Sequence, residues 1–203
     1  MTAWAGLATV APVQLTEEQY AALAAAYAKP PRAYHSFAHV IAVVQQWCDV
    51  DSRLGWQHRP ETFLALLYHD AIYVAGRSDN ENLSSRLACS ELKSIPVDLG
   101  EVARLIELTS AHGKLAPEHV DGDAALFLDC DMAILGAAPE TFAAYEAGIA
   151  NEYAQVSANM YRLGRRRFLE RLLAQSRIFL SEDFHRRLDG VARINLCSAL
   201  AAL

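Results

Sequence analysis

The 203-residue chain is poor in lysine, in paired cysteines and in long apolar runs. Three lysines stand beside fifteen arginines, and the formal net charge is −6. Binding to a DNA or RNA backbone needs a dense basic footprint, which this balance does not supply. A nucleic-acid polymer is therefore not an expected partner. The four cysteines, Cys48, Cys89, Cys130 and Cys197, are widely spaced and make no Cys-x-x-Cys pair. They read as buried thiols of a reducing compartment, not as a disulfide frame or a zinc knuckle. No uninterrupted apolar run approaches the roughly 18–20 residues of a membrane span. The stretch Met1 to Leu15 is apolar, but no Lys or Arg precedes Lys29. It therefore lacks the basic start of a secretory signal. These absences together predict a cytoplasmic protein with no membrane partner. Val/Ile/Thr-rich alternation bounded by turns is missing too, so no strand is expected.

The composition that remains is that of a folded chain. Apolar residues make up 53% and charged residues 21%, which excludes disorder. The length suits a single domain with a real core. The excess of Arg over Lys, with abundant Ala, is the composition expected of a GC-rich bacterial genome. A local arginine cluster can still hold a small anion inside a net-acidic protein.

Helix signals run the length of the chain. Thr16-Glu17-Glu18-Gln19 is a capping box, followed by Tyr20, Leu23, Ala24 and Tyr27 at helical spacing. Lys29-Pro30-Pro31 ends that helix. A second helix begins near Ser36, with Phe37, Val40, Ile41, Val44 and Trp47 on its apolar face. A third begins near Pro60 and runs to about Tyr73. A fourth begins at Asp79. A fifth begins at Asp98-Leu99-Gly100-Glu101 and ends near Gly113. A sixth covers about Asp123 to Leu135, with Gly136 as its stop. Three more are predicted at about Pro139–Val156, Asn159–Gln175 and Glu182–Leu200. There is no internal repeat, low-complexity tract or linker. The prediction is an all-α, single-domain helical bundle over residues 1–203, with about eight or nine helices.

Four residues carry the chemistry. His39, the adjacent His69-Asp70 and Asp131 each sit on a predicted helix with an apolar face. His69-Asp70 closes the segment Phe63-Leu64-Ala65-Leu66-Leu67-Tyr68. A buried carboxylate is costly unless it is paired or bound to a metal. Imidazole nitrogen with carboxylate oxygen is a donor set for a divalent first-row ion. Taken singly, a buried histidine is more often a satisfied core residue than a ligand. The ordered pattern of His, His-Asp and Asp on three helices weighs the other way.

Three segments carry a family resemblance: Tyr34-His35-Ser36-Phe37-Ala38-His39, Leu67-Tyr68-His69-Asp70-Ala71-Ile72-Tyr73, and Asp129-Cys130-Asp131-Met132-Ala133-Ile134-Leu135-Gly136. Together they resemble the HD superfamily, and most nearly a bacterial group of metal-dependent HD phosphohydrolases of this length. The likeness extends over nearly the whole chain, through Asn80-Glu81, Thr109-Ser110-Ala111-His112, Asn151-Glu152-Tyr153, Gly164-Arg165 and Ala192-Arg193-Ile194-Asn195-Leu196. It implies an all-α fold in which His39, His69, Asp70 and Asp131 bind a divalent metal ion (Mn, Mg, Fe, Ni or Zn). It also implies hydrolysis of a small phosphorylated substrate such as a nucleotide, with His69 and Asp70 as catalytic residues.

Other positions are expected around that centre. Asp129 lies about 200° from Asp131 on a helix, so it would orient a ligand or cap a neighbouring helix. His35, four residues before His39, would touch metal or substrate, or bond to backbone at a helix entry. His112 would serve a second metal or the leaving group, or close a helix C-terminus. Asn80 and Glu81 would wall the pocket or hold a metal-bound water, or start a helix. Arg165 is the member of the Arg165-Arg166-Arg167 run that would reach inward to grip phosphate, and Lys114 is a second candidate for that task. Two other readings stand beside hydrolysis. One is an HD-type di-iron oxygenase drawing on His35 and His112. The other is a non-catalytic nucleotide- or metal-binding regulatory module. A homo-oligomer is compatible with all three.

Overall fold

The computed structural model describes residues 3–203, and its α-helices are joined by loops and 3₁₀ turns with no strand among the described residues. The expected all-α class is the observed one. Met1 and Thr2, at the head of the apolar N-terminal stretch, lie outside the described residues. In chain order the helices are α1 Ala3–Val10, α2 Glu17–Tyr27, α3 Phe37–Arg53, α4 Arg59–Tyr68, α5 Asn80–Glu91, α6 Leu99–Leu108, α7 Gly122–Met132, α8 Pro139–Glu152, α9 Ala158–Ala174 and α10 Glu182–Ala202. Short 3₁₀ turns occupy Thr109–Ala111, Pro117–His119 and Ala133–Gly136. Among the described residues no helix is long and apolar enough to cross a membrane. The chain forms two compact units, Met1–Ser110 and Ala111–Leu203.

Local chemistry sets several helix starts. Ahead of α2, the Gln19 N–H donates to Thr16 Oγ1 (3.2 Å) and the Thr16 N–H donates to Gln19 Oε1 (2.8 Å). Asp98 starts α6 by accepting from the Gly100 and Glu101 N–H groups at 2.9 and 3.1 Å. Asp79 precedes α5 without capping it; its carboxylate accepts from the Arg77 guanidinium instead, at 2.8 and 2.7 Å.

In the first unit, α4 is the central element. Every residue from Thr62 to Tyr68 is buried, the signature of a helix apolar on all sides and covered on all sides. It packs against α3, α5 and α6, and α5 packs against α6. The buried Thr62 hydroxyl is satisfied: it accepts from Trp47 Nε1 (3.0 Å) and lies 3.2 Å from the Arg59 carbonyl to which it donates. The third predicted helix ends at Tyr68, five residues short of the expected Tyr73.

In the second unit, α10 packs against α8, α9 and the turn Ala133–Gly136. The Asn195 amide donates to the carbonyls of Leu135 and Ala137, both at 2.9 Å. Gly136 is required by close approach: a Cβ there would lie 2.7 Å from Leu188 Cβ. Asp189, buried on α10, accepts from the Ile178 N–H at 2.6 Å and from Arg193 Nε at 2.8 Å, and His185 Nδ1 lies 3.2 Å away. Burial pushes its carboxyl up, but the Ile178 N–H, Arg193 and His185 outweigh it and hold the group below the usual carboxylate range.

That shift has a defined sign. A carboxylate with a depressed folded-state pKa stabilises the protein above its unfolded pKa of about 3.9 and loses that contribution as pH falls through the folded value. Asp189→Asn should therefore cost about 2 kcal/mol at pH 6. The gap to wild type should narrow as pH falls toward 3. Urea unfolding of both proteins across this range checks it, and a constant gap would contradict it.

Candidate metal centre

His39 and the His69-Asp70 pair come together in the first unit. His39 lies on the first turns of α3 and is buried; His69 is the residue that ends α4 and is buried too. Asp70 lies just past the helix, with its side chain 16% exposed. Their donor atoms form a small triangle. His39 Nε2 is 3.1 Å from His69 Nε2, His69 Nε2 is 3.1 Å from Asp70 Oδ2, and His39 Nε2 is 3.6 Å from Asp70 Oδ2. Ligand bonds of about 2.1 Å meeting at tetrahedral or octahedral angles put neighbouring donors about 3.0–3.4 Å apart. The triangle has the dimensions of one face of such a coordination shell.

The tautomer of His69 is fixed by its own helix. Nδ1 lies 2.8 Å from the Leu66 carbonyl, an acceptor, so Nδ1 carries the proton. In the neutral ring Nε2 then presents a lone pair toward His39 and Asp70. A lone pair facing a carboxylate oxygen at 3.1 Å is repulsive unless a proton or a cation sits between them. Burial pushes the Asp70 carboxyl up, yet His69, His35 and His39 outweigh burial and hold it well below the usual carboxylate range.

The backbone that carries this pair is tied down group by group. The last four carbonyls of α4 all have partners. Ala65 accepts from the His69 N–H at 2.9 Å, Leu66 from His69 Nδ1, Leu67 from the Tyr27 hydroxyl at 3.0 Å, and Tyr68 from the Ala71 N–H at 2.9 Å. The Arg32 guanidinium donates to the carbonyls of Asp70 (2.7 Å) and Ala71 (3.0 Å). Ser84 Oγ accepts from the Ile72 N–H and donates to the Ile72 carbonyl (3.0 and 3.1 Å). Asn80 Oδ1 accepts from the Val74 N–H and Asn80 Nδ2 donates to the Val74 carbonyl, both at 3.0 Å. Asn80 and Ser84 are one turn apart on α5, hence on one face. Sequence reading missed Tyr27, Arg32 and Ser84, because each acts on backbone and no motif marks them.

The other singled-out positions fall as follows. His35 is half-buried with its ring stacked on Tyr73 at 4.0 Å and 5.9 Å from the His39 ring. Its carbonyl accepts from Arg32 at 2.9 Å. The buried Asn80 amide is engaged with Val74, which makes it a clamp on the loop rather than a pocket wall. Glu81 is half-buried in the first turn of α5.

In the second unit, His112 Nε2 lies 2.8 Å from Asp131 Oδ2. Asp129 braces the residues just ahead of α10: it accepts from the N–H groups of Leu180 (2.8 Å) and Ser181 (2.7 Å) and from the hydroxyl of Ser181 (2.6 Å), the residue that caps the helix. Burial pushes its carboxyl up to about 6, against the pull of those donors. His112 and Asp129 line a small pocket with Met132, Gln175 and Arg177. Arg165 does reach inward and is buried, while Arg166 and Arg167 are exposed. Its guanidinium, however, is held by Glu146 and by the Tyr145 hydroxyl (2.9 Å), and stacks over Tyr145 and Phe168. A phosphate there would have to compete with Glu146. Lys114 is exposed.

Comparison with family models, with curated proteins and with solved structures finds no match for this chain.

The Asn80 clamp is testable. Asn80→Ala would leave the N–H and carbonyl of Val74 without their present partner. It should lower stability by about 1–2 kcal/mol, the net worth of two part-buried hydrogen bonds. Urea unfolding measures it, and a change under about 0.5 kcal/mol, typical of a surface site, would defeat the assignment.

Proposed function

We propose that His39, His69 and Asp70 hold a divalent metal ion and that the chain is a metal-dependent phosphohydrolase acting on a small phosphorylated substrate. One observation carries the metal: three donor atoms from two separate segments lie 3.1–3.6 Å apart, with His69 already in the ligating tautomer. Mixed nitrogen and oxygen donors suit Mn, Fe, Ni or Zn better than an all-oxygen ion such as Ca. The resemblance of the His-Asp segments to HD phosphohydrolases supplies the reaction class, and adds Asp131 as a ligand on sequence grounds alone.

When bound, such an ion acts as a Lewis acid toward phosphate oxygen and lowers the pKa of a coordinated water. The chain's own groups do the rest. His69, its ring locked by the Leu66 carbonyl, offers Nε2 in a fixed direction. His39 offers a second nitrogen from a buried position, where competing water is excluded. Asp70 remains partly open to solvent, so its carboxylate is suited both to ligate and to hold the proton of the attacking water.

Purified protein should retain metal by elemental analysis, and should release phosphate from a panel of small phosphoesters with Mn²⁺ added. His69→Ala and Asp70→Ala should lose both. At pH 8 with chelator, Asp70→Ala should melt close to wild type, because the lost carboxylate faces the lone pair of His69 Nε2. Added Mn²⁺ should raise the melting temperature of wild type and not of the variant. Asp131→Asn, assayed alone for metal retention, tests the ligand that the resemblance adds. A wild type that never responds to metal, with an Asp70→Ala variant badly destabilised in chelator, would overturn the reading. Iron uptake with oxygen consumption and no phosphate release would favour the oxygenase alternative.

A further inference from the structure

We infer that Arg32 is a positioning residue for the metal centre, acting through backbone rather than through ligand contact; this rests on the metal reading above. Arg32 follows Pro30-Pro31 and lies between α2 and α3. One guanidinium nitrogen, Nη1, donates to both the His35 carbonyl (2.9 Å) and the Asp70 carbonyl (2.7 Å). The other, Nη2, donates to the Ala71 carbonyl (3.0 Å). The guanidinium is also set against two aromatic rings, 5.0 Å from the centre of Tyr27 and 5.8 Å from that of Tyr73.

These contacts join the two segments that deliver the donors. The His35 carbonyl sits one residue before the Ser36 cap of α3, four positions ahead of His39. The Asp70 carbonyl belongs to the ligand itself. A planar fork that grips both fixes the distance between the start of α3 and the end of α4, and with it the 3.1–3.6 Å triangle. Its neighbours hold it in place. Tyr27 donates its hydroxyl to the Leu67 carbonyl, and the Tyr73 ring stacks on His35. A lysine cannot replace it. An ammonium is a point charge with no planar fork, so it cannot hold three carbonyls in this geometry.

The test measures Mn²⁺ affinity directly on folded protein, below the unfolding transition. Arg32→Lys should weaken Mn²⁺ binding at least tenfold. Asp98→Ala, which removes a helix cap elsewhere in the same unit, should leave affinity within about threefold of wild type, as expected of a cap that contributes only stability. Hydrogen exchange of the Ile72 and Val74 amides, measured with chelator, should speed up in Arg32→Lys and not in Asp98→Ala. A loss of less than tenfold in Arg32→Lys, or an equal loss in Asp98→Ala, overturns the assignment and leaves the metal centre standing. Failure of wild type to bind Mn²⁺ or any other divalent ion tested overturns the metal reading, and the role of Arg32 with it. Should Arg32→Lys not fold, Arg32→Gln is measured in its place. If far-UV circular dichroism finds both unfolded, Arg32 supports the fold at large and the assignment is overturned.

Discussion

A helix that is buried from Thr62 to its end at Tyr68 sets the terms for the first unit. The last turn of any helix leaves four carbonyls without intrahelical partners, and in α4 these lie where water is scarce. Leaving one unpaired costs about 1–3 kcal/mol. The His69 main chain, the His69 ring, the Tyr27 hydroxyl and the Ala71 N–H take one carbonyl each. The ring of His69 thereby does two jobs with two nitrogens. Nδ1 closes the helix, and closing it forces the lone pair of Nε2 toward His39 and Asp70. The ligating tautomer is a by-product of satisfying the helix end.

The same end of the helix carries the negative pole of its dipole. Asp70 adds a full negative charge, and two imidazoles add lone pairs. Positive charge is what this corner lacks, and the surrounding residues supply it in graded form. Arg32 brings a guanidinium to the carbonyls behind the site. A divalent ion at the triangle would satisfy all three donors at once, which no arrangement of one proton can do. The electrostatics and the distances therefore argue in the same direction from independent observations.

Capping chemistry and the His-Asp pair were legible from sequence because both are local. The Thr16 box and the Asp98 cap form as their spacing predicts. The end of α4 was misplaced because Ala71, Ile72 and Tyr73 continue the apolar pattern, while the chain has already turned to meet Ser84 and Asn80. The helix expected from Asp79 starts at Asn80, and the Asp79 carboxylate pairs with Arg77, two residues away. Arg165 looked like a phosphate grip because nothing in the local sequence announces that Glu146, nineteen positions earlier, faces it. Gly136 read as a helix stop, and the reason for it is Leu188. Contacts distant in sequence decided each of these.

The Asp129-Cys130-Asp131 segment places its two carboxylates in different surroundings. Two aspartates two positions apart leave opposite sides of α7. Asp129 accepts three hydrogen bonds that complete the N-terminus of α10, where its charge also meets the positive end of the helix dipole. Those donors occupy both of its oxygens, and the backbone groups among them have no substitute nearby in the chain's own capping residue, since Ser181 is itself turned to Asp129 and to the Phe184 N–H. A carboxylate so committed cannot leave to bind an ion without stranding the Leu180 and Ser181 N–H groups ahead of a 21-residue helix. Asp131 has a different situation. It keeps partial exposure, and His112 Nε2 lies 2.8 Å from its Oδ2. The division follows from helix geometry alone: whichever of the two aspartates faces the start of α10, the other must face away from it.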